Sequence, residues 1–182
     1  MKSVLVGVAF GMLAACTTMS GSPGETAADA RFRAIYESEW EWRKTLDPEE
    51  DEESPDADAA PRNWSRVDPA SQAERLAYMK DVIGKLDALD PQSLSPEGRI
   101  NLAIYRDQIE VRIAQIEFRE YEKPLNADTT FWTSVASYGP KQFSNETQAR
   151  AWISRLNDVP RYFADETANM RLGLARGFPP PR

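Results

Sequence analysis

Residues 95–121 have the sequence SPEGRINLAIYRDQIEVRIAQIEFREY, and this stretch decides the fold class. It begins with Ser95 and Pro96, a pair typical of a helix start, because Ser caps free N–H groups and Pro is favoured at the first helical position. Nine apolar side chains go most of the way round the helix: Ile100, Leu102, Ile104, Tyr105, Ile109, Val111, Ile113, Ile116 and Phe118. A helix that is apolar on several sides is buried on several sides. The sequence therefore predicts a central helix, running to about Tyr121, in an all-α fold.

Two amphipathic helices are predicted before this central helix. The first covers residues 27–46, and its apolar face consists of Phe32, Ile35, Tyr36, Trp40 and Leu46. The second begins at Asp68-Pro69, again a cap followed by a proline. It ends at Asp90-Pro91, because a proline disfavours helical backbone in the residue before it. Its apolar stripe consists of Leu76, Met79, Ile83 and Leu86, with Val82 alongside.

Two more helices are predicted after the central one, which gives about five in all and no strand. Residues 123–143 are irregular, and their aromatic side chains either pin a loop onto the helices or form a ligand platform: Phe131, Trp132 and Tyr138. The fourth helix is capped by Ser144, has Trp152, Ile153 and Leu156 on its inner face, and ends at Val159-Pro160. The fifth runs from Pro160 to Gly177, with an apolar face of Phe163, Thr167, Met170 and Leu174.

An acidic loop, residues 47–63, separates the first two helices. Its segment 47–58, DPEEDEESPDAD, holds eight acids and no base. A calcium-binding loop of the EF-hand type needs Gly at its sixth position, and this segment contains no Gly. The pattern indicates a solvated loop whose charges repel one another.

Composition excludes several classes of function. The chain has 182 residues, a formal net charge of -7 and a pI near 4.8, so we expect no nucleic-acid partner. It has no His and a single Cys, which excludes a Ser-His-Asp triad, a Cys-His dyad, a His-ligated zinc and an internal disulfide. We therefore predict no catalytic, cofactor-binding or metal-binding residue in this chain.

Charged side chains at helical spacing have simpler explanations than catalysis. Paired carboxylates, such as Glu37 with Glu41 and Glu117 with Glu120, are interpreted as solvated helix faces. Five arginines enrich the C-terminal part, and they either pair with acids or meet a substrate carboxylate in a cleft: Arg155, Arg161, Arg171, Arg176 and Arg182.

The N-terminus has the pattern of a lipoprotein leader. Lys2 precedes an apolar run of twelve residues, 4–15, which is shorter than the about 20 that a membrane-spanning helix needs. The following LAAC, residues 13–16, resembles the lipobox of bacterial lipoproteins, so we predict a signal peptide over residues 1–15 and lipid attachment at Cys16. Residues 16–26 are small and polar and are predicted to be a flexible tether. Thr17 after Cys16 indicates the outer membrane of the cell envelope, facing the periplasm.

From Glu117 onward the chain resembles a bacterial family called domain of unknown function 885 (DUF885). The resemblance lies in FREYEKPLN at 118–126, FW at 131–132, WISRLNDVPRY at 152–162, ANMRLGLARG at 168–177 and the final PPR. The earlier helices match this family in pattern only.

The resemblance implies a helical zinc metallopeptidase-like protein, longer than this chain, with a His-Glu-x-x-x-Gly-His-like helix. In such proteins zinc activates water and a Glu acts as general base. Because this chain has no His, none of those positions carries over. The resemblance therefore implies that residues 27–182 are the N-terminal helical portion of a DUF885-like domain, a cleft wall or lid that is inactive on its own. Its expected partners are the membrane through Cys16, the missing C-terminal part of the same protein, and a peptide substrate.

Two interpretations stay open. In the first, the chain is a truncated segment, which predicts apolar helix faces without partners around Trp40, Trp42, Trp132 and Trp152. In the second, it is a self-contained helical envelope lipoprotein that acts as a protein-binding module.

Overall fold

The computed structural model describes residues 25–46, 63–125, 130–137, 143 and 145–179. Within them lie five α-helices: α1 (Ala27–Leu46), α2 (Pro69–Asp87), α3 (Pro96–Glu117), α4 (Trp132–Ser137) and α5 (Glu146–Ala175). Two short 3-10 helices, Pro91–Ser93 and Glu120–Glu122, and an isolated antiparallel bridge between Leu125 and Thr130 complete the described structure. The all-α fold is confirmed, with four long helices. The predictions for the signal peptide, Cys16, residues 47–62, Tyr138 and Arg182 lie outside the described residues.

The predicted starts of α2 and α3 are confirmed by their caps. The Asp68 carboxylate accepts hydrogen bonds from the N–H groups of Ala70 and Ser71, each at 3.1 Å, before α2. The Ser95 hydroxyl accepts one from the Gly98 N–H at 2.9 Å before α3. Each cap side chain lies within three residues of the N–H groups that it satisfies. Both helix starts can therefore be predicted from the local sequence.

The apolar core lies between α1, α2 and α3. Its members are Phe32, Met79, Val82, Leu86, Leu94, Leu102 and Ile109, all buried. Asp29 ties the start of α1 to the start of α3, because its carboxylate accepts from the N–H groups of Thr26 at 2.8 Å and Ser95 at 3.2 Å. These bonds, first the one from Thr26, lower the pKa of Asp29.

The predicted break at Pro160 is wrong. Residues 146–175 form one helix of 30 residues with Pro160 inside it, so the predicted fourth and fifth helices are a single helix, α5. Its N-cap is Asn145 and not the predicted Ser144, because the Asn145 side chain accepts from the Gln148 N–H at 2.9 Å. Proline removes one helical hydrogen bond, the one to the carbonyl of Leu156. Distant contacts hold the backbone on both sides of it: the Trp64 indole N–H donates to the Arg155 carbonyl at 3.0 Å, and Arg161 donates to the Trp64 carbonyl at 2.7 Å.

The prediction that the third helix is buried on several sides is also wrong for the described residues. α3 ends at Glu117, and Arg119 then adopts a left-handed backbone with φ of 57° before the 3-10 helix. Four apolar residues of α3, including its C-cap Phe118, are exposed rather than buried: Ile100, Ile104, Val111 and Phe118. No helix among the described residues is both long enough and apolar enough to cross a bilayer.

Candidate functional site

The exposed apolar face of α3 is the first candidate surface. We call Ile100, Ile104, Val111 and Phe118 the outer α3 stripe; they are 62%, 53%, 49% and 72% exposed. Their spacing of four, seven and seven residues places them within about 40° on the helix. The core residues Leu102 and Ile109 lie on the opposite face. α3 thus has two apolar faces, and the described residues cover one of them.

α5 also has an exposed apolar face, and its buried face is polar. Ile153, Leu156 and Leu174 are exposed and lie within about 60° on the helix; we call them the outer α5 stripe. The predicted inner face is therefore wrong for Ile153 and Leu156, whereas Trp152 is half-buried. The residues of α5 that are buried are Arg155, Glu166, Asn169 and Gly173. This helix buries a polar face and exposes an apolar one.

The segment Asn63 to Val67, which we call the strap, lies along the buried face of α5. Trp64 is 5% exposed, and its backbone N–H donates to the Asp158 carboxylate at 2.9 Å. The Arg155 guanidinium lies 4.9 Å from the centre of its ring, and the ring of Tyr162 stacks on it at 5.4 Å. A single Trp after an acidic loop has no periodicity that marks it as buried, so the sequence predicts no role for Trp64.

Arginine–carboxylate pairs fix the strap and the end of α5. Arg161 forms ion pairs with Asp158 and Asp165 at 2.7 and 2.6 Å, and its hydrogen bond is the main cause of the lowered pKa of Asp158. Arg176 pairs with the buried Glu122. For Arg161 and Arg176, the structure therefore favours pairing with acids over a free cleft position.

Glu166 is a buried carboxyl group whose pKa is raised to about 7, mainly by burial. The nearby charge of Asp165 raises it further, whereas hydrogen bonds with Tyr162 and Asn169 act in the opposite direction. Asn169 is fully buried, and its amide donates to the Val67 carbonyl at 2.8 Å. No sequence signal distinguishes these two residues from the solvated face of an amphipathic helix.

Gly173 allows the closest contact between α5 and the 3-10 helix 120–122. A Cβ at this position would lie 2.5 Å from the Glu122 carbonyl oxygen, which is closer than such atoms approach one another. Gly173 belongs to the stretch 168–177 quoted above, and the contact supplies a physical reason for glycine there.

A groove of about 640 Å³ lies between α1 and α3. Phe32, Tyr36 and Tyr105 line it and meet edge to face, with ring centres 5.3 to 6.2 Å apart. The Tyr105 hydroxyl donates to the buried carboxylate of Glu39 at 3.2 Å, and burial and that charge raise the pKa of Tyr105. Since Glu39 also pairs with Arg43 at 3.1 Å, these groups satisfy one another and stabilise the bundle.

The remaining predicted positions are placed as follows. The carboxylate pairs Glu37 with Glu41 and Glu117 with Glu120 are exposed. Of the aromatic side chains expected on a surface, Trp40 and Trp132 are exposed, whereas Trp42 is half-buried and stacks on Tyr78 with ring centres 3.8 Å apart. The part of the chain that the structure describes contains no cluster of three or more His, Cys, Asp or Glu residues that could hold a metal.

Comparison with known proteins identifies a family. A family model described as "Bacterial protein of unknown function (DUF885)" matches residues 54–182. No curated protein and no solved structure matches the chain. The family match includes α2 and α3, for which the resemblance was one of pattern only, as well as all of α5.

Proposed function

The chain belongs to the DUF885 family, and we propose on this premise that its helices form a wall or lid in a membrane-anchored, zinc peptidase-like protein. Peptide hydrolysis would take place in other residues of that protein. The role of the helices is then to pack against the catalytic part and to shape one side of its cleft.

The outer α3 stripe is the observation that carries this proposal. Ile100 and Phe118 are each more than half exposed, although a fully buried side chain of this size stabilises a protein by about 1.5 to 3 kcal/mol. Large apolar patches on a protein surface are typical of contact sites. The outer α5 stripe adds a second such surface, which supports a further layer of protein over these helices.

The residues of this chain do not fit a zinc site. It has no His, and its described part offers no cluster of metal ligands. The proposed role of these helices is therefore structural.

Binding of the dye ANS to the purified chain tests the proposal, because ANS reports exposed apolar surface. We expect the wild type to enhance ANS fluorescence, and the double variant Ile104→Ser, Phe118→Ser to reduce the enhancement at least about twofold with little change in stability. Leu102→Ser is the matched control: it lies in the core, so it should lower stability instead. A wild type that leaves ANS fluorescence unchanged would contradict the proposal.

Membrane anchoring is tested separately. If Cys16 is acylated, the mature protein fractionates with membranes and its mass includes the acyl chains. Cys16→Ser should release it into the soluble fraction, whereas Thr17→Ser should not. A mature protein without added acyl mass would refute the anchor and leave the role of the helices untouched.

A self-contained protein-binding lipoprotein is the second candidate, and the apolar core shared by α1, α2 and α3 favours it. The coding sequence downstream of codon 182 separates the two candidates. A His-Glu zinc motif in the same frame supports the peptidase-like protein. An immediate stop codon, together with a monomer that unfolds cooperatively and binds no ANS, supports the self-contained module.

A further inference from the structure

A second cavity, of about 320 Å³, lies between α2, α3 and the 3-10 helix 120–122. The polar side chains in its wall are Gln72 and Arg75 from α2, Arg112 and Gln115 from α3, and Glu120 and Tyr121 from the 3-10 helix. This volume lies at the lower end of the range of small-molecule sites, about 300 to 1,000 Å³. It suits one or two amino-acid residues and is too small for a folded partner.

Arg112 distinguishes this cavity from the other charged surfaces of α3. Arg99 donates to the Leu94 carbonyl at 3.1 Å, and Arg106 pairs with Asp87 and Glu110. Arg112 is half-buried and forms no hydrogen bond or ion pair with any residue that the structure describes. Its guanidinium group has five N–H donors and no acceptor among the described residues, so a carboxylate ligand in the cavity would accept hydrogen bonds from it.

The rest of the cavity wall limits the chemistry of that ligand. Arg75, whose Nη2 donates to the Arg66 carbonyl at 2.9 Å, places a second guanidinium group in the wall. Glu120 contributes a negative charge, which repels a doubly charged phosphate more strongly than a singly charged carboxylate. Its carboxylate can also accept hydrogen bonds from an amide or ammonium group of the ligand. Met79 and Ile116 supply an apolar surface. Cationic, anionic and apolar groups in one small cavity match the end of a peptide.

We propose that this cavity binds the C-terminal carboxylate of a short peptide. Arg112 holds the carboxylate through charge-assisted hydrogen bonds, with Arg75 as the second cation. The amides of Gln72 and Gln115 contact the peptide group, and Met79 and Ile116 contact an apolar last side chain. The choice of a peptide rests on the proposed peptidase-like function, whereas the carboxylate follows from the cavity itself.

Titration of the purified full chain with glycyl-leucine and with glycyl-leucine amide, followed by NMR, tests this site. We expect saturable binding of the acid, and binding of the amide at least about tenfold weaker because it lacks the negative charge. Arg112→Gln should weaken binding of the acid at least about tenfold, and Arg112→Lys should retain part of it. Arg171→Gln is the matched control, since Arg171 is an exposed arginine of α5 outside this cavity.

The thermal unfolding midpoint of Arg112→Gln should equal that of the wild type, so a loss of binding will report the site and not misfolding. Equal affinity for the acid and the amide, no effect of Arg112→Gln, or no saturation up to about 10 mM would overturn the proposal. Tighter binding of inorganic phosphate than of the dipeptide would overturn the peptide assignment. None of these results alters the ANS test of the helical wall, so the two proposals fail independently.

Discussion

The α1–α3 bundle and α5 are held in place by different physical means. The bundle buries apolar side chains such as Val82, Leu86 and Ile109. α5 buries Arg155 and Glu166 and turns Ile153 and Leu174 outwards. Apolar burial is non-directional, and it stabilises the bundle roughly in proportion to the apolar area removed from water. Hydrogen bonds and ion pairs position α5 in one register, and they make that region sensitive to single atoms and to pH.

The largest expected change in stability comes from a substitution in the apolar core of the α1–α3 bundle. Leu86 is 1% exposed, so Leu86→Ala should lower the free energy of unfolding by about 3 kcal/mol through lost burial and a residual cavity. Leu172→Ala, at an exposed position of α5, should change it by less than about 0.5 kcal/mol. Urea denaturation followed by circular dichroism measures both. Equal effects would mean that the apolar core is not where the stability of the chain lies.

Between about pH 4.5 and pH 7, the pH dependence of stability is expected to come mainly from Glu166 in α5. The pKa of Glu166 is about 7 in the folded chain, against an ordinary value of 4.5. Between these values the folded state holds a proton that the unfolded state has released, so this stabilisation is complete below about pH 4.5 and is lost as the pH rises to 7. Glu166→Gln should remove this decline in the free energy of unfolding. At pH 8 its free energy of unfolding should exceed that of the wild type by about 2 to 3 kcal/mol.

Urea denaturation of the wild type and Glu166→Gln at the same pH values isolates this residue from the other acids. Glu146→Gln, an exposed position on the same helix, is the matched control and should follow the wild type. If the difference between wild type and Glu166→Gln is constant from pH 4 to pH 8, the buried carboxyl group does not titrate as described.

A smaller effect is expected at the contact between α5 and the 3-10 helix 120–122. Gly173→Ala introduces a Cβ against the Glu122 carbonyl and should destabilise by about 2 kcal/mol. Gly84→Ala is its counterpart in α2: its Cβ meets nothing within 4 Å, so better helix propensity should stabilise by up to about 1 kcal/mol. Stability changes of opposite sign for the two substitutions would support the difference between the close contact of α5 and the open site in α2. Changes of the same sign would contradict it.

The smallest effect concerns the strap. Trp64→Phe keeps an aromatic ring but loses the indole N–H bond to the Arg155 carbonyl, which leaves a buried acceptor and should cost about 1 kcal/mol. Hydrogen exchange should accelerate on both sides of Pro160 and stay unchanged in α2. Trp132→Phe, at an exposed position, should change neither the free energy of unfolding nor hydrogen exchange around Pro160.

Sequence reasoning succeeded where the deciding interactions are local. The caps Asp68 and Ser95 act within three residues, so their helix starts were predictable. Pro160 misled because the contacts that stabilise the helix around it come from Trp64, more than 90 positions away. A polar residue at helical spacing, such as Glu166 or Arg112, has the same pattern whether it is buried or solvated. The two apolar faces of α3 are visible in the sequence, but periodicity does not say which face finds a partner.

Native-state hydrogen exchange of the purified chain tests the central contrast most directly. Apolar packing should protect α2 and α3 up to the free energy of global unfolding, whereas α5, held by its polar face and the strap, should open at lower free energy. Equal protection of α5 and the bundle, or greater protection of α5, would contradict the account.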